Sequence, residues 1–192
     1  MIAIIKYNAG NIRSVQNSVT RLGYESIITD KKGDLLAADK IILPGVGEAA
    51  SAMKDLRERE LDKILLSLNK PVLGICLGLQ LLCLDSEEGN AKCLGVFDSH
   101  VIRLPPQDKV PHTGWDNFEW LGGELLKGLK ASDNFYYVHS YHSEICKNTT
   151  AVCNYILPFS AAIQKDNFFA VQFHPEKSAE AGEKVMKNFL EL

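Results

Sequence analysis

An α/β fold is predicted: one open, twisted sheet, mostly parallel but mixed, with helices on both faces. Three observations point to it. Apolar runs at residues 2–7, 24–29, 41–43 and from Pro71 onward are separated by helix-length connections, for which parallel strands with helical crossovers are the economical solution. Later β-rich runs have shorter links, which suit antiparallel pairing and make the sheet mixed. The 192 residues, 46% of them hydrophobic, contain no repeat, low-complexity tract or linker, so one domain spanning 1–192 with a sizeable core is expected.

Taken in order, residues 2–7 form the first strand and Asn8-Ala-Gly-Asn11 turns the chain. Asn11 is a good helix N-cap, and Ile12, Val15, Val19 and Leu22 make one helical stripe that Gly23 ends. The second strand, a polar loop and the third strand follow, and the third stops at Pro44-Gly-Val-Gly47. A helix over 49–68 returns the chain to the Pro71 strand. Residues 96–104, 135–141, 151–155, 161–165 and 168–173 read as strands, with one brief helix at 123–128. The last helix, 179–190, buries Val185, Met186, Phe189 and Leu190. Ligands of such sheets bind at the carboxyl ends of the strands. Asn8 to Asn11, Pro44 to Gly47 and Cys76 all fall at that end.

A net charge of −3 with scattered basic residues excludes nucleic acid and anionic membrane as partners. No apolar stretch reaches the roughly 18 residues of a membrane span and no signal-like segment opens the chain, so a soluble, cytoplasmic protein is expected. The five cysteines (76, 83, 93, 146 and 153) lack paired metal spacing, and their odd number implies free thiols, with no metal and no cofactor. The sequon Asn148-Thr-Thr150 has no role without a secretory route.

Gly74-Ile-Cys76-Leu-Gly78 joins a buried strand to a helix carrying Leu77, Leu81 and Leu84. Small residues two places either side of Cys76 suit a sharp strand-to-helix turn that lifts the sulfur above the sheet at a helix N-terminus, where a thiolate is favoured. On this stretch alone, a glycine-flanked core cysteine is the open alternative. A second segment, Val171-Gln-Phe-His174-Pro-Glu176, also ends a strand. In extended chain, His174 and Glu176 project to one side, and Pro175 favours that extension. A cysteine nucleophile needs such a base, and the base needs an orienting carboxylate. The pair of motifs is far more specific than either alone.

Gly74-Ile-Cys-Leu-Gly-Leu-Gln80 with Phe173-His-Pro-Glu176 resembles the class I (triad-type) glutamine amidotransferases along nearly the whole chain. Within them, the chain is similar to the glutaminase subunits of imidazole glycerol phosphate synthase. That narrower likeness rests on Tyr7-Asn-Ala-Gly-Asn11 with Ser14-Val15, on Pro44-Gly-Val-Gly47 where other members usually show Pro-Gly-Gly, on Val110-Pro-His-Thr-Gly-Trp115 and on Tyr136-Tyr-Val-His-Ser-Tyr141. Leu79, Thr113 and Asp116 depart from the usual methionine, methionine and asparagine.

The resemblance implies that Cys76 attacks the side-chain amide of L-glutamine, His174 moves the proton and Glu176 holds the imidazole. It implies an oxyanion hole from Leu77 and the Val46-Gly47 segment, and glutamine binding by Gly45, Gln80, Ser140 and Tyr141. It implies a heterodimer that hands ammonia to a separate (β/α)8 cyclase subunit in histidine biosynthesis, with Asn11, Trp115 and Tyr136 at the joint. The glycines of Pro44-Gly-Val-Gly47 permit a peptide flip, so the oxyanion loop is expected to rest misarranged until the partner is loaded. Other readings are a paralogous subunit feeding another synthase, such as one amidating a surface-glycan sugar, a peptidase- or deglycase-type hydrolase, and an inactive binding protein. Gln80, the Pro-Gly-Val-Gly loop and His-Pro-Glu speak against the hydrolase, and an intact Cys, His and Glu against the binding protein. His112 and His139 read as hydrogen-bonded structural histidines, and Cys83 as a core residue.

Overall fold

The computed structural model describes every residue from Met1 to Leu192. The first half alternates strand and helix: β1 (Ile2–Ile5), α1 (Ile12–Arg21), β2 (Ser26–Thr29), α2 (Lys32–Ala37), β3 (Lys40–Leu43), α3 (Ala49–Glu58), α4 (Leu61–Leu66), β4 (Val72–Ile75) and α5 (Leu77–Leu82). The second half is strand-rich: β5 (Asp85–Ser86), β6 (Ala91–Lys92), β7 (His100–Arg103), β8 (His112–Asp116), β9 (Trp120–Leu121), β10 (Phe135–His139), β11 (Tyr141–Ser143), β12 (Thr149–Tyr155), β13 (Leu157–Lys165) and β14 (Phe168–Val171), closed by α6 (Ala179–Glu191).

The main sheet has the order β2-β1-β3-β4-β14-β13-β12-β9. From β2 to β14 it is parallel, and beyond β14 antiparallel, so the predicted mixed sheet is present. Burial explains the strand sequences. In β1, Ala3 and Ile5 face one apolar layer with Leu35, Met53, Leu61 and Leu81, while Ile2 and Ile4 face the other with Val15, Val19, Val185 and Phe189. The first layer is covered by α2 to α5 and the second by α1 and α6. A strand buried on both faces reads as a continuous apolar run rather than an alternation, which is why β1, β3, β4 and β14 stand out in the sequence. No helix is long and apolar enough to cross a membrane.

Several expectations are corrected. The polar loop before β3 contains α2, anchored by the single buried residue Leu35. The helix expected over 49–68 is two helices, broken where Glu60 takes a left-handed conformation with φ 56°. Residues 123–128 form a turn, not a helix. The strand expected over 135–141 is split at Ser140: β10 pairs with β8 in a separate two-stranded sheet, while β11 joins a second small sheet of order β11-β7-β5-β6. Of residues 96–104, only β7 is strand, and it lies in that second sheet.

The tightest point is the packing of α5 on the sheet. A Cβ at Gly78 would collide with the backbone carbonyl of Leu43, and one at Gly74 would lie 2.8 Å from the Gly78 carbonyl. Neither neighbour is a flexible side chain that could yield. Gly78→Ala should therefore destabilise the protein by about 3 kcal/mol, the upper range for overpacking, as read from its urea midpoint. An unchanged midpoint would mean that α5 is not seated this closely.

Candidate active site

Cys76 sits between β4 and α5 with φ 54° and ψ −105°, a conformation that non-glycine residues rarely adopt. The sheet below and the helix above hold it there, with glycines on either side making room. The result is the predicted elbow, with the sulfur on the carboxyl edge of the sheet.

β14 lies beside β4, and the chain leaving it brings His174 and Glu176 to the same edge. The His174 backbone N–H donates to the Tyr136 carbonyl at 2.9 Å, and the Ser178 hydroxyl donates to the His174 carbonyl at 2.6 Å. His174 Nδ1 is 2.9 Å from Glu176 Oε1, with the two side chains 1% and 0% exposed. A carboxylate can only accept, so Nδ1 carries the proton and Nε2 is the nitrogen available for chemistry. Nε2 is buried without a partner within bonding distance. Burial alone would lower the imidazole pKa, but the nearby Cys76 sulfur and the bond to Glu176 outweigh it and push it up to about 10.

Asn11 stands at the N-cap position of α1, as expected, but does not cap it with its side chain. Its backbone is left-handed, with φ 65°, and its side chain makes no capping bond. Its Nδ2 instead donates to Glu176 Oε1 at 2.6 Å, so the turn after β1 reaches the carboxylate bonded to His174.

The loop after β3 closes over Cys76. The Leu77 N–H, expected as an oxyanion donor, is already given to the Gly45 carbonyl at 3.3 Å, and the Val46 carbonyl accepts from Gly10 N–H at 3.2 Å. The Tyr7 hydroxyl donates to the Pro44 carbonyl at 2.6 Å and anchors the loop at its start. Gly47 has φ 134°, where a side chain would be strained. The loop therefore rests with the expected oxyanion donor occupied.

A cavity of about 80 Å³ opens onto Cys76, bounded by Val46, Gly47, Leu77, Gln80, Glu88 and Tyr141, with Val138 and His139 completing the wall. That is room for a few waters, short of a free glutamine. Gly45 and Ser140, expected to bind glutamine, are not part of this lining. Glu88, absent from the sequence-based set, is the one carboxylate there; burial, helped by neighbouring Glu48, raises its pKa against the lowering effect of the Ala49 N–H. The only sequence signal for it is its place a short way beyond Gln80.

Trp115 and Tyr136 are cross-strand neighbours in the β8–β10 pair, with ring centroids 6.0 Å apart, and Lys177 Nζ lies 5.6 Å from the Tyr136 ring centre. Trp115 is 55% exposed, an unusual state for a large aromatic side chain. His112 and His139 are buried and bonded to each other at 3.1 Å, and Cys83 is buried beside Ser143. All five cysteines are free.

Residues 3–192 match the family described as glutamine amidotransferase class-I. The chain is 55% identical over 194 residues to the imidazole glycerol phosphate synthase subunit HisH of Bacteroides fragilis (strain YCH46), covering 100% of this chain and 99% of that one. It is 44% identical over 194 residues to the subunit of the same name from Escherichia coli (strain K12), with the same coverage. Among solved structures, one described as a glutamine amidotransferase superposes with a TM-score of 0.76 at 21% identity, covering 99% of this chain and 97% of the other, which is a likeness of fold.

Proposed function

The chain belongs to the class I glutamine amidotransferases, and from that premise we propose that Cys76, His174 and Glu176 carry its hydrolysis of L-glutamine to glutamate and ammonia. It acts as a glutaminase subunit of the HisH kind, passing ammonia to a cyclase subunit that forms imidazole glycerol phosphate in histidine biosynthesis. The observation that carries the assignment of roles is the buried His174–Glu176 pair facing an elbow cysteine, with its imidazole proton held on Nδ1.

With the proton of the Cys76 thiol held on His174 Nε2, the sulfur attacks the amide carbon of the substrate. The imidazolium, stabilised by Glu176, then donates that proton to the departing ammonia. The resulting thioester is hydrolysed by a water that His174 deprotonates in turn. The amino-acid end of glutamine lies toward Gln80, Tyr141 and Glu88. Glu88 supplies the negative charge that an α-ammonium group needs, and the Gln80 carbonyl oxygen remains free to accept from it because both contacts of its amide nitrogen are to acceptors. We place the subunit in the cytoplasm beside its partner, whose docking face is centred on Trp115, Tyr136 and the Asn11 turn.

The test is glutamate release by the complex with the cyclase, together with labelling of Cys76 by a glutamine-mimicking electrophile. Absence of both, or efficient cleavage of ordinary peptides, would overturn the reading. Trp115→Ala should weaken the complex more than tenfold in a titration, since an exposed aromatic at the centre of a docking face acts as an anchor.

A further inference from the structure

Gln172 is fully buried two residues before His174, and the reaction as described does not use it. Its orientation follows from its neighbours. The Tyr141 carbonyl can only accept, so the Gln80 atom 2.9 Å from it is the amide nitrogen. The second contact of that nitrogen, at 3.1 Å, is the amide oxygen of Gln172. Gln172 therefore presents its own amide nitrogen on the other side, 3.6 Å from Cys76 Sγ.

The far end of this chain of bonds is also locked. Burial and the neighbouring His112 lower the His139 pKa to about 3, so its ring is neutral at working pH. Its Nδ1–H must then be the donor to the same Tyr141 carbonyl, at 2.8 Å, and its Nε2 accepts from His112 Nδ1–H at 3.1 Å. Each link has one allowed direction, and the last N–H points at the nucleophile.

A buried amide is costly where a leucine or methionine would fill the space, unless its hydrogen bonds repay the cost. As a thiol, Cys76 has the Val138 carbonyl 4.0 Å away as an acceptor. As a thiolate it needs donors, and the Gln172 N–H joins the His174 imidazolium in that role. We propose that Gln172 is a catalytic donor to the Cys76 sulfur, aimed by Gln80, which stabilises the thiolate before attack and again when it leaves the thioester. The catalytic part of this rests on the glutaminase reading; the donation to sulfur does not.

The experiment therefore reads the sulfur directly. Iodoacetamide alkylation of Cys76, followed on its own peptide by mass spectrometry, is measured across pH on the full-length chain and expressed as the rate at pH 7 relative to the alkaline plateau. In Gln172→Met, nearly isosteric and without a donor, this ratio should fall about tenfold or more, the loss of one hydrogen bond to a charged group. Gln80→Leu, which frees the Gln172 amide to turn, should lower it in the same direction by a smaller step. Glutaminase kcat/KM of the Gln172→Met complex should fall by a similar factor. If Gln172→Met does not fold, as judged by circular dichroism, the Gln80→Leu profile decides alone. An alkylation ratio equal to that of the unmodified protein in the folded variants would overturn the proposal. A lowered ratio, with no glutamate released by the unmodified complex with the loaded cyclase, would instead overturn the glutaminase reading and leave the donor assignment standing.

Discussion

Cys76→Ser should lose glutamate release by at least about a thousandfold, or roughly 4 kcal/mol of transition-state stabilisation, while keeping its fold and its partner. Serine is nearly isosteric and meets the same left-handed backbone at the elbow, so packing is undisturbed. A serine hydroxyl, however, does not ionise near neutral pH, and the variant loses the sulfur that helps hold a proton on His174. The loss should be confined to the first half-reaction. Given ammonium salt at raised pH, the variant complex should still form the cyclase product. Circular dichroism and glutamate release are the measurements. Retention of more than a few per cent of the activity would point to another nucleophile, and failure of ammonia rescue with a competent partner would mean that this chain takes part in the acceptor chemistry itself.

The second expected result is a rise in glutaminase rate of a hundredfold or more when the cyclase carries a nucleotide substrate analogue. The reason is visible in the resting loop. The Leu77 N–H is bonded to the Gly45 carbonyl, and the Val46 carbonyl is held by Gly10 N–H. An oxyanion forming at the substrate would find a carbonyl where it needs a donor. Restoring one such donor is worth about 100- to 1000-fold. The turn that holds Val46 also sends Asn11 to Glu176, so a partner pressing on residues 8–11 reaches the loop and the triad together. Rates compared for the chain alone, with the cyclase, and with the loaded cyclase decide the point. Equal rates in all three would remove the loop from any regulatory role.

The parallel core was legible because β1, β3, β4 and β14 are buried on both faces and so appear as uninterrupted apolar runs. The elbow was legible because only a small residue fits at Gly74 and Gly78. What escaped had no such imprint. β5, β6 and β9 are two residues long, too short for any periodicity. α2 turns only Leu35 inward, and the break between α3 and α4 falls at a left-handed glutamate with no glycine to mark it. Around the site, His174 and Glu176 announced themselves by spacing, but Gln172 looked like any polar residue beside a strand. Its burial is a property of the assembled sheet, and so is the place of Glu88 in the cavity. Asn11 shows how a correct local rule can mislead: asparagine caps helices well, yet here a buried carboxylate is the stronger claimant for its amide.

The place of β14 in the sheet order bears on how the protein is made. It is the last strand in sequence but lies in the interior of the sheet, between β4 and β13. A growing chain that has completed β4 must leave one side of that strand unpaired until β14 emerges. During synthesis, β4 is thus a temporary apolar edge, a liability for chaperones to cover and a slow, long-range closure for the folding chain. The same delay has a protective side. His174 and Glu176 follow β14, so on the proposed roles the cysteine at the elbow has no base until the sheet closes. With those roles, a partly synthesised chain has no means of consuming glutamine.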